Sequence, residues 1–173
     1  DLFWLISLRL LFPKKYFEIY DRNNIEIDES STKYLATLPL SAAKSIRAKK
    51  NQINLELPLA KEIKEAYYAT TSFVDAQVGR ILRKLKESGL EKNTLIIFTS
   101  DHGYHLGEHG HWQKQTLFEN ATKVPLIFSG AGIKNTGIIS SSPAELIDIY
   151  PTIMDITNIE VPKHVVGKSL VPL

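Results

Sequence analysis

The sequence predicts an α/β domain in which a sheet is layered by helices, and three observations carry that prediction. A long amphipathic pattern covers roughly residues 59–88. Two short apolar runs, at 94–99 and 124–130, read as strands. A second helical pattern lies near 144–157. Helix, strand, loop, strand and helix in that order belong to a sheet with helices packed on it.

The chain has 173 residues, enough for one domain with its own core. It opens on "DLFWLISLRLLF". That stretch is apolar, but it has no initiator Met, no basic start and no small-residue cleavage site, so it is expected to be a buried strand or a damaged family segment rather than a targeting signal. From Phe12 to residue 57 the chain is polar and irregular, with prolines, an Asn23-Asn24 pair and an acidic, Ser-rich turn. This predicts a long loop with short elements, and loops of that length are usually functional or poorly ordered. The expected division is therefore 1–57, a divergent start and loop region, and 58–173, the structured part.

In the first helix, Pro58 suits the opening turn. Ile63, Ala66, Tyr67, Phe73, Val74, Val78, Ile81, Leu82 and Leu85 recur at three- and four-residue steps and predict one apolar face. Arg83, Lys84 and Lys86 put positive charge where the helix dipole favours it, and Gly89 is a stop. Leu95–Phe98 is continuously apolar, as in a strand covered on both faces, and "VPLIFSG" gives a second strand of that kind. In the last helix, Leu146, Ile149, Tyr150, Ile153, Met154 and Ile156 form the apolar stripe. Pro143 is expected to start this helix and Pro151 to bend or interrupt it.

Composition removes several function classes. The chain is 43% hydrophobic and 23% charged, as in ordinary globular proteins. Its net charge of +2 is spread along the chain, which gives no argument for a nucleic-acid partner. With no cysteine, these residues hold no disulfide, thiolate metal site or cysteine nucleophile. No apolar stretch is long enough to span a membrane. Asn120-Ala121-Thr122 is a formal glycosylation sequon of a kind that often arises by chance.

The chemistry concentrates in "SDHGYHLGEHGHWQKQ", residues 100–115, which hold four of the five histidines. The window starts at the carboxyl end of the first strand, where open α/β sheets bind ligands. Asp101 offers oxygens suited to a hard cation, and His102 a nitrogen suited to a borderline metal. The plainer alternative is that Asp101 caps the loop and His102 hydrogen-bonds locally. His105, His109 and His111 do not form the HExxH zinc pattern, although a four-histidine cluster is conceivable. Lys114 is either a fixed charge for an anion or an ordinary solvated lysine.

The stretch "TLIIFTSDHGYHLGEHGHWQKQTLFENATKVPLIFSGAGI" resembles the C-terminal half of the sulfatase family, within the alkaline phosphatase-like superfamily, and is most similar to its iduronate-2-sulfatase-like members. "YYATTSFVDAQVGRILRKLKESGL" before it, "ELIDIYPTIMDI" after it and "VGKSLVPL" at the end keep the family's order and spacing. "FPKKYFEIYD" extends the likeness weakly to residue 12. The resemblance implies a large mixed sheet between helices and one divalent cation, usually calcium. It also implies a formylglycine made from the Cys or Ser of a C/S-x-P/A-x-R motif. The hydrated formylglycine attacks the sulfur of a sulfate ester and forms a covalent sulfate intermediate. By position, Asp101 and His102 match metal ligands and Lys114 matches the lysine that contacts the sulfate. No catalytic role carries over to His105 or His109. His111, with Trp112, is expected at the border of the substrate pocket.

The departures from the family are as informative. No C/S-x-P/A-x-R motif and no N-terminal aspartate pair occur in this sequence, and Ser7 stands about where a histidine is expected. The expectation is therefore the C-terminal part of a sulfatase: a partial alkaline phosphatase-like sheet lacking its N-terminal half, with a divergent or damaged start. Its parent hydrolyses sulfate esters on a sulfated small molecule or glycan, with neither nucleic acid nor membrane as partner, and the chain alone is inactive. Two alternatives stay open. One is a phosphodiesterase or phosphonate hydrolase of the same superfamily. The other is a degraded product or anion-binding module that exposes an apolar patch. The resemblance also implies an exported protein (periplasmic, extracellular or lysosomal). Oligomeric state is not set by the sequence.

Overall fold

The computed structural model describes residues 12–28, 32–46 and 55–172. The apolar start, with Ser7, lies outside the described residues. In chain order the helices are α1 (Thr32–Leu35), α2 (Leu40–Ser45), α3 (Leu57–Glu87), α4 (Glu119–Thr122) and α5 (Ile149–Ile156), and the strands are β1 (Leu95–Thr99) and β2 (Leu126–Gly130). The described residues form two compact units, one within 12–84 and 102–124, the other within 85–101 and 125–172.

In the first unit, α3 begins where predicted, with Pro58 in its opening turn. Its first half makes the core. Ala60 and Ile63 pack with Leu106 and Trp112, while Ala66 and Ala69 pack with Phe17. The small alanines let the segment before the helix lie close to it. That segment is held by polar bonds as well. Arg22 Nε donates to Glu65 Oε2 at 2.8 Å, Arg22 Nη2 reaches the same oxygen, and the Tyr20 and Ser72 hydroxyls lie 2.6 Å apart. Glu65 is only 7% exposed, so its charge needs this partner. Residues 12–46, where described, consist of 3-10 turns at Lys14–Tyr16 and Arg22–Asn24 and the short helices α1 and α2, as the irregular sequence predicts.

The predicted apolar face of α3 holds only in part. Ile63 and Ala66 are buried, but Val74, Ile81 and Leu82 are exposed. Periodicity reports which residues share a face; whether that face is covered depends on what the rest of the chain brings to it.

The second unit holds β1 and β2, which pair antiparallel with Ile97 opposite Phe128 and Phe98 opposite Ile127. Both strands lie where predicted, but they are not covered on both faces. The cross-strand pair Phe98 and Ile127 is 44% and 54% exposed. Among the described residues the sheet has two strands. An apolar run shows what a strand can bury, whereas burial needs a packed layer.

The end of α3 follows the prediction: Gly89 takes φ +70°, and its N–H bonds Lys86 O at 3.0 Å. The last helix does not start at Pro143. It opens with a 3-10 turn at Leu146–Asp148, where the Asp148 carboxylate accepts the Glu145 N–H at 2.9 Å. Pro151 neither bends nor interrupts α5, because it lies in the first turn, where no N–H is required. Asp148 also accepts the Lys168 N–H at 2.8 Å, and Thr152 Oγ1 accepts the Leu170 N–H at 2.9 Å, so the tail is latched to α5. These backbone donors hold the Asp148 carboxyl below the usual carboxylate range.

Candidate active site

Asp101 follows the end of β1 and is exposed, and His102 is the next residue. From His102 the chain rises and returns as a hairpin-like loop. Its legs are joined by His105 N–H to Gln113 O (2.9 Å), Gly107 N–H to His111 O (3.0 Å) and the Tyr104 hydroxyl to Trp112 O (3.0 Å). Its base is held by Gly103 N–H to Ala121 O at 2.8 Å. A Cβ on Gly103 would lie 2.1 Å from Asn120 O, so only glycine permits this approach.

Paired legs explain why residues far apart in sequence meet at the base. Lys114 Nζ lies 2.6 Å from His102 Nε2. His102 Nδ1 lies 2.8 Å from Gly103 O. A carbonyl only accepts, so Nδ1 carries the proton and Nε2 presents its lone pair toward the Lys114 ammonium. A solvent-exposed lysine is thereby given a fixed place.

The other three histidines of the window gather within the same unit. His105 and His111 are 0% and 1% exposed, with ring centroids 5.1 Å apart and edge to face. His105 Nε2 lies 2.7 Å from Thr116 Oγ1. Among the described residues, His105 Nδ1 and both ring nitrogens of His111 have no side-chain hydrogen-bond partner. Burial, with His105 and His109 nearby, pushes His111 down to about 4. Burial also lowers His105, against the pull of Glu108. His109 has φ +56°, stacks on Phe118 at 3.9 Å, and its Nδ1 lies 2.7 Å from the Tyr34 hydroxyl. Burial raises Tyr67 and Tyr104, whose rings stack at 5.7 Å beside this loop.

The structure thus brings His102 and Lys114 together and places His111 inside the packing. The sequence reading did not find the buried histidine pair. The available signal was their spacing: residues 105 and 111 stand on opposite legs of a turn centred near Glu108, where paired extended legs bring side chains to one face.

Among the described residues, no group of three or more His, Cys, Asp or Glu side chains is arranged to hold a metal ion. Asp101 and His102 carry donor types that a divalent cation takes, a carboxylate oxygen and an imidazole nitrogen, but here the His102 Nε2 lone pair faces the Lys114 ammonium and Nδ1 faces Gly103 O. A cavity of about 520 Å³ lies in the second unit, lined by Pro151, Asp155, Ile159, Gly167 and Ser169 among others, and takes in none of the predicted site residues.

Known proteins place this loop in context. A sulfatase of Formosa agariphila is 36% identical over 174 residues, covering 94% of this chain and 32% of the relative. Iduronate 2-sulfatase of Homo sapiens is 30% identical over 186 residues, covering 87% of this chain and 34% of the relative. The chain thus spans about a third of the length of these two relatives. Among solved structures, BT4656 in complex with its substrate D-glucosamine-2-N,6-O-disulfate aligns with a TM-score of 0.63 and 35% identity over 67% of this chain and 24% of that one. The phosphonate monoester hydrolase SpPMH from Silicibacter pomeroyi aligns with a TM-score of 0.73 and 29% identity over 92% of this chain and 33% of that one. The Sulfatase family profile matches residues 12–159, most of the sequence. The resemblance carried by the histidine-rich window is borne out, and the chain belongs to the sulfatase family.

Proposed function

We propose that this chain supplies part of the active site of a sulfate-ester hydrolase whose substrate is a sulfated small molecule or glycan. The observation that carries this reading is the contact of Lys114 Nζ with His102 Nε2, 2.6 Å apart at the base of the loop. Family membership, and a structural relative described with a sulfated glucosamine as substrate, support it.

In this reading Lys114 donates to the sulfate oxygens, and its ammonium stabilises the charge on them as the ester bond breaks. Gly103 O holds the His102 ring in the tautomer whose Nε2 lone pair accepts from Lys114. Asp101 and His102 would hold a calcium ion, His102 through Nε2 once Lys114 turns from it to the sulfate, and the ion would supply charge neutralisation of the anionic ester and a lower pKa for the nucleophile. Calcium takes six to eight ligands, so two residues do not complete its site. His111, buried in the loop, would act on the substrate side only through the packing that positions Lys114. The formylglycine motif is absent from this sequence, so the chain alone turns over no ester. By family likeness the protein works outside the cytoplasm, in a periplasmic, extracellular or lysosomal setting. Among the described residues, no helix is long and apolar enough to cross a membrane.

The test uses the enzyme that contains these residues together with a nucleophile motif. Asp101→Ala is expected to remove bound calcium, read by elemental analysis, and aryl sulfate turnover with it; retention of both refutes the assignment. Lys114→Ala should lower kcat/KM for the sulfate ester by about 10²–10³-fold, as for loss of one transition-state donor. Unchanged kinetics would take Lys114 out of the site.

A second reading has its own support, because the phosphonate monoester hydrolase aligns over 92% of this chain. A lysine beside a cation serves a phosphonate as well as a sulfate. Faster turnover of a phenyl phosphonate monoester than of the matching aryl sulfate would select it.

A further inference from the structure

We infer that His105 and His111 form an acid-sensitive keystone that holds the two legs of the 102–116 loop together, so that their protonation opens the loop and separates Lys114 from His102. Both are positioning residues. The rings are 0% and 1% exposed and stand edge to face at 5.1 Å. A neutral imidazole has one N–H; a protonated one has two and a full charge. Among the described residues, His111 has no hydrogen-bond partner at either nitrogen, and His105 has no side-chain partner at Nδ1. A buried imidazolium at His111 lacks acceptors among the described residues, and two imidazoliums at this distance repel.

The ionisable groups facing the pair do not remedy this. From the loop itself, His109 opposes a charge on either ring, and Tyr104 is neutral. Glu108 favours charge on His105, first through its backbone and then through its carboxylate, so the penalty for protonation falls chiefly on His111. From α3 the facing group is Tyr67, whose hydroxyl is held neutral by burial and by Glu108. From α1, Tyr34 meets His109. Protons therefore reach the rings when the rings reach water, and that requires the legs to part.

The link to Lys114 is short. His105 Nε2 meets Thr116 Oγ1 at 2.7 Å, and the Thr116 N–H bonds Lys114 O at 2.8 Å. On the other leg, the His111 carbonyl takes the Gly107 N–H at 3.0 Å. Loss of the His105–Thr116 bond frees the turn that presents Lys114. The consequence for turnover rests on the hydrolase reading above, whereas the opening of the loop does not.

Trp112 is a built-in reporter. It is 4% exposed and packs on Ala60 and Ile63, and the chain has one other tryptophan, Trp4. In the full chain carrying Trp4→Phe, the Trp112 emission should shift to the red as pH falls from about 6.5 to 4, ahead of any loss of helical circular dichroism. His111→Leu combined with His105→Gln, which keeps a side-chain partner for Thr116, should move that midpoint down by about one pH unit or more. A wild-type Trp112 that stays buried to pH 4, or an unmoved midpoint in the double variant, overturns the proposal. If the double variant does not fold, the His111 ring is titrated by NMR in the Trp4→Phe chain. A midpoint well below the ordinary histidine value supports the keystone, and an ordinary one overturns it. An acid transition of Trp112 in a parent enzyme without sulfatase or phosphonate hydrolase activity would sink the functional reading and leave this one standing.

Discussion

The 102–116 loop and the two-stranded sheet handle polarity in opposite ways. The loop is rich in histidine and glycine, yet its centre is dry: His105, His111, Leu106 and Trp112 are all under 9% exposed. The sheet is apolar, yet the cross-strand pair Phe98 and Ile127 remains open to solvent. The difference lies in what packs against each. The loop lies on the alanine-rich first half of α3, whose small side chains allow close approach. The strands pair with each other, and the Phe98–Ile127 face of that pair is uncovered. Polar composition therefore did not make the loop loose, and apolar composition did not make the sheet a closed core.

The largest effect should come from the packing under the loop. Ile63 is 0% exposed, so Ile63→Ala should cost about 4 kcal/mol in urea unfolding. A cost near zero would show that the loop does not depend on α3. Next is the protonation of His111. Its folded value of about 4 lies below the ordinary 6.5, so the fold favours the neutral ring. That contribution is fully present above pH 6.5 and is lost as pH falls toward 4, roughly 3 kcal/mol in all. Urea midpoints measured from pH 8 to 4 should fall in that window, and His111→Leu should flatten the decline.

In the second unit, Asp148→Ala should free the tail without unfolding the rest, since Asp148 accepts the Lys168 and Glu145 N–H groups. Faster amide exchange at Lys168 and Leu170 is the readout. Because this carboxyl is held below the usual range, the same loosening should appear in the wild type only as pH drops below that range. The smallest effect belongs to the open strand face. Phe98→Ser should change stability by less than about 0.5 kcal/mol, as surface substitutions do. A larger loss would mean that the sheet is covered after all and would erase the contrast with the loop.

Much of this was legible beforehand. The 3.6-residue period located α3, the apolar runs located β1 and β2, and Gly89 marked the helix end, because backbone propensity and local patterning act over a few residues. The window from Ser100 to Gln115 stood out for its histidine density and its place beyond a strand end. Less legible was the start of α5, where the Asp148 carboxylate and not Pro143 sets the first turn. The roles of His105 and His111 were hidden for another reason. A histidine reads as polar until its surroundings are known.

The sequence by itself determined the elements, their order, the family and the residues available for chemistry at 101, 102 and 114. The tertiary structure decided which of them meet. It paired the legs of the loop, set Lys114 against His102, and closed two histidines into a site without acceptors. It also left one strand face and the second half of a helix face uncovered. Local periodicity records where a side chain points along its own element. Burial and contact depend on distant segments reaching the same place, and that information lies in no single stretch of the chain.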